Sequence, residues 1–413
     1  MANHQTHEQM RDMCQSAAAL GFLPERLQLL DQRLTEWSRE SITPSAVVRV
    51  LRHGQLAFEG AYGIQGPGQA ADSLAVSSIF PLCSQTKPVT AALLCILQED
   101  GLVDLHHPVK RYIPEFTGDA NGDVRIWHLL CHSSGLIDND IWNQFDGYVQ
   151  NVLHVSLPEE YDEEKNAEAY IQIREKLGLP YLAYSREMEE DTRMAIALSF
   201  APTHKPQALM TYCGTGYKLA RKIIMRVTGG SFEAYAREKL FVPLGMSDSH
   251  FAFPEEKRAR YVTRGPEYCG SDWLNEYVLQ SDSGGGGLKS TVLDMTRFGQ
   301  LFLNKGTLDG QRILSPASVR EITSDHNINL PKSLHNNELL EPAWGLGWNI
   351  KGIKKDDAGM LRSAASFEHG GYGCVKLLCD PEYDLVAAYY TVSLEDNYWY
   401  VSQFNNMLIA AIQ

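Results

Sequence analysis

Strand-like sequence lies near the two ends of the chain, and helix-like sequence fills most of the region between them. Near the start, AVVRVLRHGQLAFEGAYG (46–63) has two β-rich runs around a His-Gly turn, which predicts a hairpin. Near the end, AWGLGWNI, FEHGGYGCVKLL and YDLVAAYYTV predict further strands with turns between them. The most economical topology pairs both ends into one antiparallel sheet and inserts the helices. The sequence therefore predicts an α+β fold.

The predicted division of the chain is discontinuous. At 413 residues the chain exceeds one ordinary domain. We expect a sheet domain from residues 1–103 and 285–413, flanked by N- and C-terminal helices, and an inserted, mainly helical domain from 104–284. Helical periodicity predicts a first helix over 23–41 and a last one over about 398–412.

Composition and charge exclude several function classes. Lys plus Arg number 37 against 51 Asp plus Glu, a net charge of −14, which would repel nucleic acid and anionic membranes. The N-terminus has no basic start followed by a long apolar run, and no apolar run is long enough to span a bilayer. We therefore expect a cytoplasmic protein without nucleic-acid or membrane partners, able to form an oligomer.

The spacing of the cysteines and of the possible metal ligands predicts the redox state of the thiols and whether a metal is bound. The eight cysteines are scattered and form no Cys-x-x-Cys pair, which indicates reduced thiols. His and carboxylate residues show no clustering at ligand spacing. We expect no metal and no cofactor.

Ser84 and Lys87 lie at the start of a predicted helix in PLCSQTKPVTAALLCILQEDG (81–101). Residues three apart share a helix face, and the positive helix end lowers the cost of negative charge on the serine oxygen. The positive end of the helix and burial both disfavour the charged form of the Lys87 amine. Pro88 fits because a first-turn N–H is unpaired anyway. The pair is interpreted as a nucleophile with its own base; the alternative is a capped helix with a surface lysine.

Further motifs follow in order along the chain. They are IFPLCSQTKPVTAALLCILQEDGLVDLHHPVKRYIPEF, VRIWHLLCHSSGL, YCGTGYKLARKIIMRVTG, GGGGLKSTVLDMTRFGQLFLNKGTLDGQRILSP, WGLGW and HGGYG. Together they resemble the serine β-lactamase and penicillin-binding-protein superfamily over roughly residues 45 to 395. The similarity is to its class C, esterase (family VIII carboxylesterase) and D-aminopeptidase branch, and extends to the lovastatin-type acyltransferases.

The resemblance implies roles for individual residues. Ser84 is expected to form the acyl-enzyme, Lys87 to take or share its proton, and Tyr212 to act as the second base and acid. The backbone N–H groups of Ser84 and Tyr372 would form the oxyanion hole. The predicted substrate-binding residues are His369, Gly370, Gly371, Gly214 and Trp344; for His369 and Trp344 the alternative is a structural role.

Two departures from the family pattern restrict the expected substrate. The third residue of the Tyr-x-Asn motif is Gly214, so no side-chain amide is available there to hold an acylamino group. The Lys-Thr-Gly position begins with His369, so a fixed cation for a β-lactam carboxylate is missing. These changes argue against β-lactamase or transpeptidase activity.

The segment 138–205 is longer than in compact members of the family. It is interpreted as a lid or wall insert for a bulky apolar substrate, with a dimerisation or packing element as the alternative. Its aromatic residues are Trp142, Phe145, Tyr148, Tyr161, Tyr170, Tyr181 and Tyr184.

The favoured function is a carboxylesterase that acts on a small-molecule ester. The alternatives are an acyltransferase or transesterase of specialised metabolism, a D-aminopeptidase- or amidase-like enzyme, and a non-catalytic binding protein.

Overall fold

The computed structural model describes residues 7–66, 69, 73–118, 121–158, 162–264, 272–335, 338–392 and 398–413. Residue contacts group the chain into two compact units. The first comprises Met1–Val103, Thr228–Ile328 and Ala343–Gln413, and the second comprises Asp104–Val227 and Asn329–Pro342. Residues 228–284, expected in the inserted domain, thus group with the first unit. The expected domain boundaries stay a prediction.

The helices and strands are numbered separately in chain order. The helices are α1 (His7–Ser16), α2 (Pro24–Arg39), α3 (Thr86–Glu99), α4 (Ile126–Leu130), α5 (Asp138–Asn151), α6 (Glu163–Lys176), α7 (Arg186–Ala197), α8 (Thr215–Thr228), α9 (Phe232–Ala236), α10 (Asp272–Gln280), α11 (Val292–Leu303), α12 (Pro316–Ile322) and α13 (Tyr398–Ile409). The strands are β1 (Ser45–Arg52), β2 (Gln55–Gly63), β3 (Phe80–Pro81), β4 (Lys289–Ser290), β5 (Thr307–Leu308), β6 (Gln311–Arg312), β7 (Ser333–His335), β8 (Glu338–Leu340), β9 (Asn349–Ile350), β10 (Phe367–Gly371), β11 (Val375–Asp380) and β12 (Leu385–Thr391).

The first unit is built on a six-stranded sheet in the order β2-β1-β12-β11-β10-β9. Neighbouring strands are antiparallel, and β1 pairs with β12 from Ala46 opposite Thr391 to Arg52 opposite Leu385. The two ends of the chain therefore meet in the middle of the sheet. This confirms the predicted α+β fold and the predicted hairpin, which is β1–β2.

Both faces of the central strands are covered, so buried residues follow one another along β11 and β12 rather than alternating with exposed ones. Every residue of β12, LVAAYYT, is buried. One face packs against α1, α2 and α13 in a core that includes Leu30, Trp37 and Phe404. On the other face α11 packs against β11 and β12, and α3 packs against β10. This packing places the first turn of α3 beside β10, where the candidate site lies.

The second unit contains α4 to α8 and the short hairpin β7–β8. The segment 138–205, expected to be a lid, forms the three helices α5, α6 and α7, which share a core of their own. Phe145 from α5, Tyr170 from α6 and Met188 from α7 meet in it. Tyr161 lies outside the described residues. The role of this segment as a lid stays a prediction.

Some local predictions need correction. The helix expected to open at Ser84 begins at Thr86, and a 3-10 turn, Cys83–Gln85, precedes it. The first helix of the chain, α1, was not predicted. Within the described ranges, no helix is both long enough and apolar enough to cross a bilayer.

A buried ion pair joins two central strands. Lys376 Nζ lies 3.0 Å from a carboxylate oxygen of Glu368, and both side chains are buried. The amide of Asn349 also donates to Glu368, at 2.6 Å. Since isolated buried charges are costly, each member depends on the other.

We expect Lys376→Met to lower the free energy of unfolding by about 3–5 kcal/mol, because it strands the Glu368 carboxylate. The double variant with Glu368→Met should cost less than this single change. Arg33→Met, which removes an exposed ion pair to Glu36, serves as the control and should cost less than about 1 kcal/mol. Urea unfolding measures all three, and a double variant at least as destabilised as Lys376→Met alone would contradict the expectation.

Candidate active site

The serine–lysine pair is in contact. Ser84 lies in the turn before α3, is partly exposed, and follows Cys83, whose φ of 47° is in the left-handed region. Lys87, in the first turn of α3, is only 2% exposed, and its Nζ donates to Ser84 Oγ at 2.9 Å. The alternative of a surface lysine is therefore wrong. A buried amine placed on an accessible hydroxyl is the arrangement expected of a base beside a nucleophile.

A glycine-rich loop supplies a further partner of Lys87. Lys87 Nζ also donates to the carbonyl of Gly285 at 2.9 Å. Next to it, Thr90 donates to the carbonyl of Gly284 at 2.6 Å, and the N–H of Leu288 donates to Thr86 Oγ1 at 3.0 Å. The loop is thus bonded to the first turns of α3 at three points, which fixes the direction of the Lys87 amine.

The loop is itself held from behind by Lys289. Its buried Nζ donates to three backbone carbonyls, those of Phe251 at 2.7 Å, Ser281 at 2.7 Å and Gly287 at 2.8 Å. Burial lowers the pKa of Lys289 to about 7. Three carbonyls around one nitrogen match the three donors of an ammonium group, so the charged form is the one that closes this network.

The end of β10 lies directly against the serine turn. A Cβ atom on Gly371 would be 2.0 Å from the carbonyl oxygen of Leu82, so only glycine permits this approach. A Cβ atom on Gly370 would face the Lys376 side chain at 3.1 Å. The close packing at Gly371 brings Tyr372, the next residue, to the turn that carries Ser84. Both expected oxyanion-hole donors therefore belong to segments that pack together.

Gln85, which the sequence analysis did not single out, fastens the serine turn to the sheet. Its side chain is fully buried; it donates to the carbonyl of His369 at 3.3 Å and accepts from the hydroxyl of Tyr390 at 2.7 Å. The Gln85 side chain thus connects the residue after Ser84 to both β10 and β12.

His369 is held as a neutral imidazole. Its Nδ1–H donates to the carbonyl of Gly347 at 2.6 Å, which leaves Nε2 without the proton in the neutral ring. Burial, assisted by the charge of Lys87, holds the pKa of His369 well below its usual value. A Cβ atom on Gly347 would be 2.9 Å from Cα of Pro88, so this hydrogen bond also links β10 to the segment packed on α3.

Trp344 lies beside His369 and is also buried. Its ring is perpendicular to the imidazole, with 5.7 Å between the ring centroids, and the Lys354 ammonium is 5.4 Å from the Trp344 ring centroid. Trp344 is thus enclosed by packed protein side chains. The expected substrate-binding roles of His369, Gly370, Gly371 and Trp344 stay predictions.

In the second unit, the backbone around Tyr212 is held on its two sides. The Tyr212 ring packs on the imidazole of His132 with 4.3 Å between centroids, and His132 Nδ1 accepts from the N–H of Cys213 at 3.1 Å. His132 belongs to the motif HLLCHSSGL, so this contact gives that motif a supporting role for the tyrosine.

Asp138 holds the residues that follow Tyr212. Its carboxylate accepts from the N–H of Gly214 at 2.5 Å and from Thr215 through both the N–H at 2.9 Å and the hydroxyl at 2.6 Å. Burial opposes ionisation of Asp138, but the hydrogen bonds from Thr215 and Gly214 outweigh it and lower the pKa. A Cβ atom on Gly214 would be 3.3 Å from Asp138 Oδ2, so an aspartate from a distant segment borders the space next to this glycine.

The structure thus places Ser84, Lys87, Gly371 and His369 in connected segments of the first unit, and Tyr212 and Gly214 in a bonded segment of the second. The catalytic roles of Ser84, Lys87 and Tyr212 stay predictions. No group of three or more His, Cys, Asp or Glu side chains suited to a metal ion occurs in the described part of the chain. The seven cysteines at described positions are free thiols, and Cys269 lies outside them.

Gly371→Ala tests the close approach of β10 to the serine turn. The added methyl group would have to displace Leu82 and, with it, the expected oxyanion donors, so we expect kcat for an ester substrate to fall by about 100-fold or more. Gly230→Ala is the control, because nothing lies within 4 Å of its added Cβ. A Gly371→Ala protein with normal kcat would show that the site does not depend on this contact.

His369 predicts a pH dependence of stability. The pKa of His369 is lower in the folded protein than in the unfolded chain. Below pH 6.5 the unfolded chain therefore binds a proton at His369 that the folded protein does not bind, and the free energy of unfolding decreases as the pH falls. At pH 5.5 this loss is about 1.4 kcal/mol relative to neutral pH. We expect His369→Asn to remove that part of the loss in urea unfolding at pH 7.5 and 5.5. Equal losses in both proteins would contradict the assignment.

Comparisons with known proteins bear on the family and the fold of this chain. Penicillin-binding protein 4 of Amycolatopsis lactamdurans is 30% identical over 77% of this chain and 74% of its own length. Esterase EstB of Burkholderia gladioli is 30% identical over 55% of this chain and 52% of its own. The structure of simvastatin synthase from Aspergillus terreus superposes with a TM-score of 0.66 at 19% identity, covering 93% of this chain and 98% of that one. Residues 30–398 match the Beta-lactamase family, and the chain belongs to it.

Proposed function

We propose that this protein is a serine carboxylesterase that forms an acyl-enzyme on Ser84. The observation that carries the proposal is the 2.9 Å contact between Lys87 Nζ and Ser84 Oγ, with the lysine buried and the serine accessible. An amine in this position can accept the hydroxyl proton as the oxygen attacks. Membership in the Beta-lactamase family and the similarity to Esterase EstB support this chemistry.

The reaction proceeds in two halves. In the first, Ser84 Oγ attacks the ester carbonyl carbon, and its proton passes to the base, which is Lys87 with Tyr212 proposed as the second base and acid. The tetrahedral intermediate then breaks its bond to the alcohol oxygen, which leaves with that proton. In the second half, water attacks the acyl carbon and loses a proton to the same base. The bond to Ser84 Oγ breaks, the proton returns to the serine, and the carboxylic acid departs.

Negative charge on the carbonyl oxygen is stabilised by backbone donors. In the proposed mechanism these are the N–H groups of Ser84 and Tyr372. The close contact between Gly371 and Leu82 supports this proposal, since it draws the two peptide segments together. Fixed donors of this kind typically contribute a factor of about 100 to 1000 to the rate.

The substrate is proposed to be a small ester rather than a β-lactam. His369 is neutral, so the position that holds a lysine in the Lys-Thr-Gly motif offers no cation for a carboxylate. Gly214 offers no side-chain amide, and the carboxylate of Asp138 lies beside it. Both features favour an acyl group without the charged and acylamino substituents of a β-lactam.

The test is pre-steady-state kinetics with p-nitrophenyl butyrate. We expect a burst of nitrophenol equal to the enzyme concentration, a butyryl adduct in the intact mass, and the loss of both in Ser84→Ala. Lys87→Met and Tyr212→Phe should each reduce kcat by at least about 100-fold. Lys165→Met, an exposed lysine, is the control.

Activity should rise from neutral to mildly alkaline pH if an amine and a phenol act as the base.

The same experiment separates the possible fates of the acyl group. Adding an alcohol or amine acceptor tests transfer: faster loss of the butyryl adduct with formation of a new ester or amide would assign an acyltransferase. The absence of both a burst and a fluorophosphonate adduct on Ser84 would refute the proposal.

A further inference from the structure

Arg264 connects the turn after β10 with the serine turn. Its Nη2 donates to the backbone carbonyl of Tyr372 at 2.5 Å. The same nitrogen lies 3.9 Å from Sγ of Cys83, the residue before the nucleophile. The guanidinium carbon is 4.8 Å from the centroid of the Tyr372 ring. One planar cation thus contacts the segments that carry both expected oxyanion-hole donors.

The arginine is held in place from both sides. Its main chain is bonded to α10, because the N–H of Arg264 donates to Asn275 Oδ1 and Asn275 Nδ2 donates to the Arg264 carbonyl, each at 3.0 Å. At its other end, the guanidinium lies against Gly373, whose φ is 94° and where a Cβ atom would be 2.4 Å from Nη2. The turn therefore accommodates the guanidinium only because residue 373 is glycine.

We propose that Arg264 is a positioning residue of the oxyanion hole, an inference that rests on the proposed serine-hydrolase function. The hydrogen bond to the Tyr372 carbonyl fixes the peptide that follows Tyr372, and the stacking contact fixes its ring. With both held, the direction of the Tyr372 N–H is determined before substrate arrives. Such preorganised donors act without reorganisation at the moment of reaction.

Two features distinguish this role from substrate binding. Arg264 is 3% exposed, so a ligand does not reach its guanidinium, whereas the Tyr372 side chain is 42% exposed. In addition, the contacts use the planar, multiply donating shape of arginine: one face covers a ring while an edge nitrogen reaches a carbonyl. Lysine keeps the charge but cannot make both contacts at once.

The experiment compares catalysis with the binding of a transition-state mimic. Ser84 Oγ bonds to the boron of phenylboronic acid and passes its proton to Lys87, which gives a tetrahedral anion with one of its boron-bound oxygens in the oxyanion hole. The proteins are the wild type, Arg264→Met and Arg264→Lys. Arg260→Met, which removes an ion pair to Asp248 from the same stretch of chain, is the matched control.

We expect both Arg264 variants to lose at least about tenfold in kcat for p-nitrophenyl butyrate, because a donor displaced by about 1 Å can cost up to about 100-fold. The dissociation constant of phenylboronic acid should rise by the same factor as kcat/KM falls, while KM changes by less than about twofold. Arg260→Met should match the wild type in kcat and in boronate affinity.

Three outcomes would overturn the inference. One is wild-type kcat and boronate affinity in Arg264→Met. Another is a raised KM with unchanged kcat, which would assign substrate binding instead. The third is full activity in Arg264→Lys. The Arg264→Lys protein also tests the inference if Arg264→Met fails to fold. A wild-type protein without a burst or a Ser84 adduct would remove the proposed function itself, whereas a normal wild-type burst with unaffected variants removes only the role of Arg264.

Discussion

The buried amine of Lys87 is the constraint on which the arrangement of the site depends. An amine taken out of water must find hydrogen-bond acceptors, because an unpaired polar group in the interior is costly. The partners of Lys87 include the hydroxyl of Ser84 and the carbonyl of Gly285, each at 2.9 Å. The second requires a main chain that approaches α3 closely, which explains the glycine-rich loop and the buried Lys289 that holds it. The contact between Lys87 and Ser84 is therefore set by backbone placement rather than by one flexible side chain.

The six-stranded sheet also holds the serine turn in place. Strand β10 ends with two glycines against the serine turn, and Gln85 ties that turn to both β10 and β12. His369 then links β10 to the segment packed on α3. Strands β10 and β12 and helix α3 thus hold the turn in which Cys83 has a left-handed φ.

The sequence predicted the parts of the structure that are encoded locally. The hairpin 46–63, the helix α2 and the apolar strands carry their own periodicity, and Ser84 and Lys87 are three residues apart, so spacing alone predicted their contact. Gln85, Asp138 and Arg264 were missed because their partners are 284, 76 and 108 residues away along the chain. No pattern around an isolated glutamine, aspartate or arginine predicts which distant carbonyl or N–H it will meet. The start of α3 was misplaced by two residues, since a 3-10 turn has no periodicity to distinguish it from a helix end.

The pairing of β1 with β12 has a consequence for biosynthesis. The hairpin that begins the sheet emerges from the ribosome long before its partner, and at about 5 to 20 residues per second the wait is roughly 20 to 70 s. The strand that bears Gly371 is also translated late, so a nascent polypeptide contains Ser84 and Lys87 before the segment that packs against the serine turn. Until β10 has been made, the serine turn therefore lacks the close packing of Gly371 against Leu82.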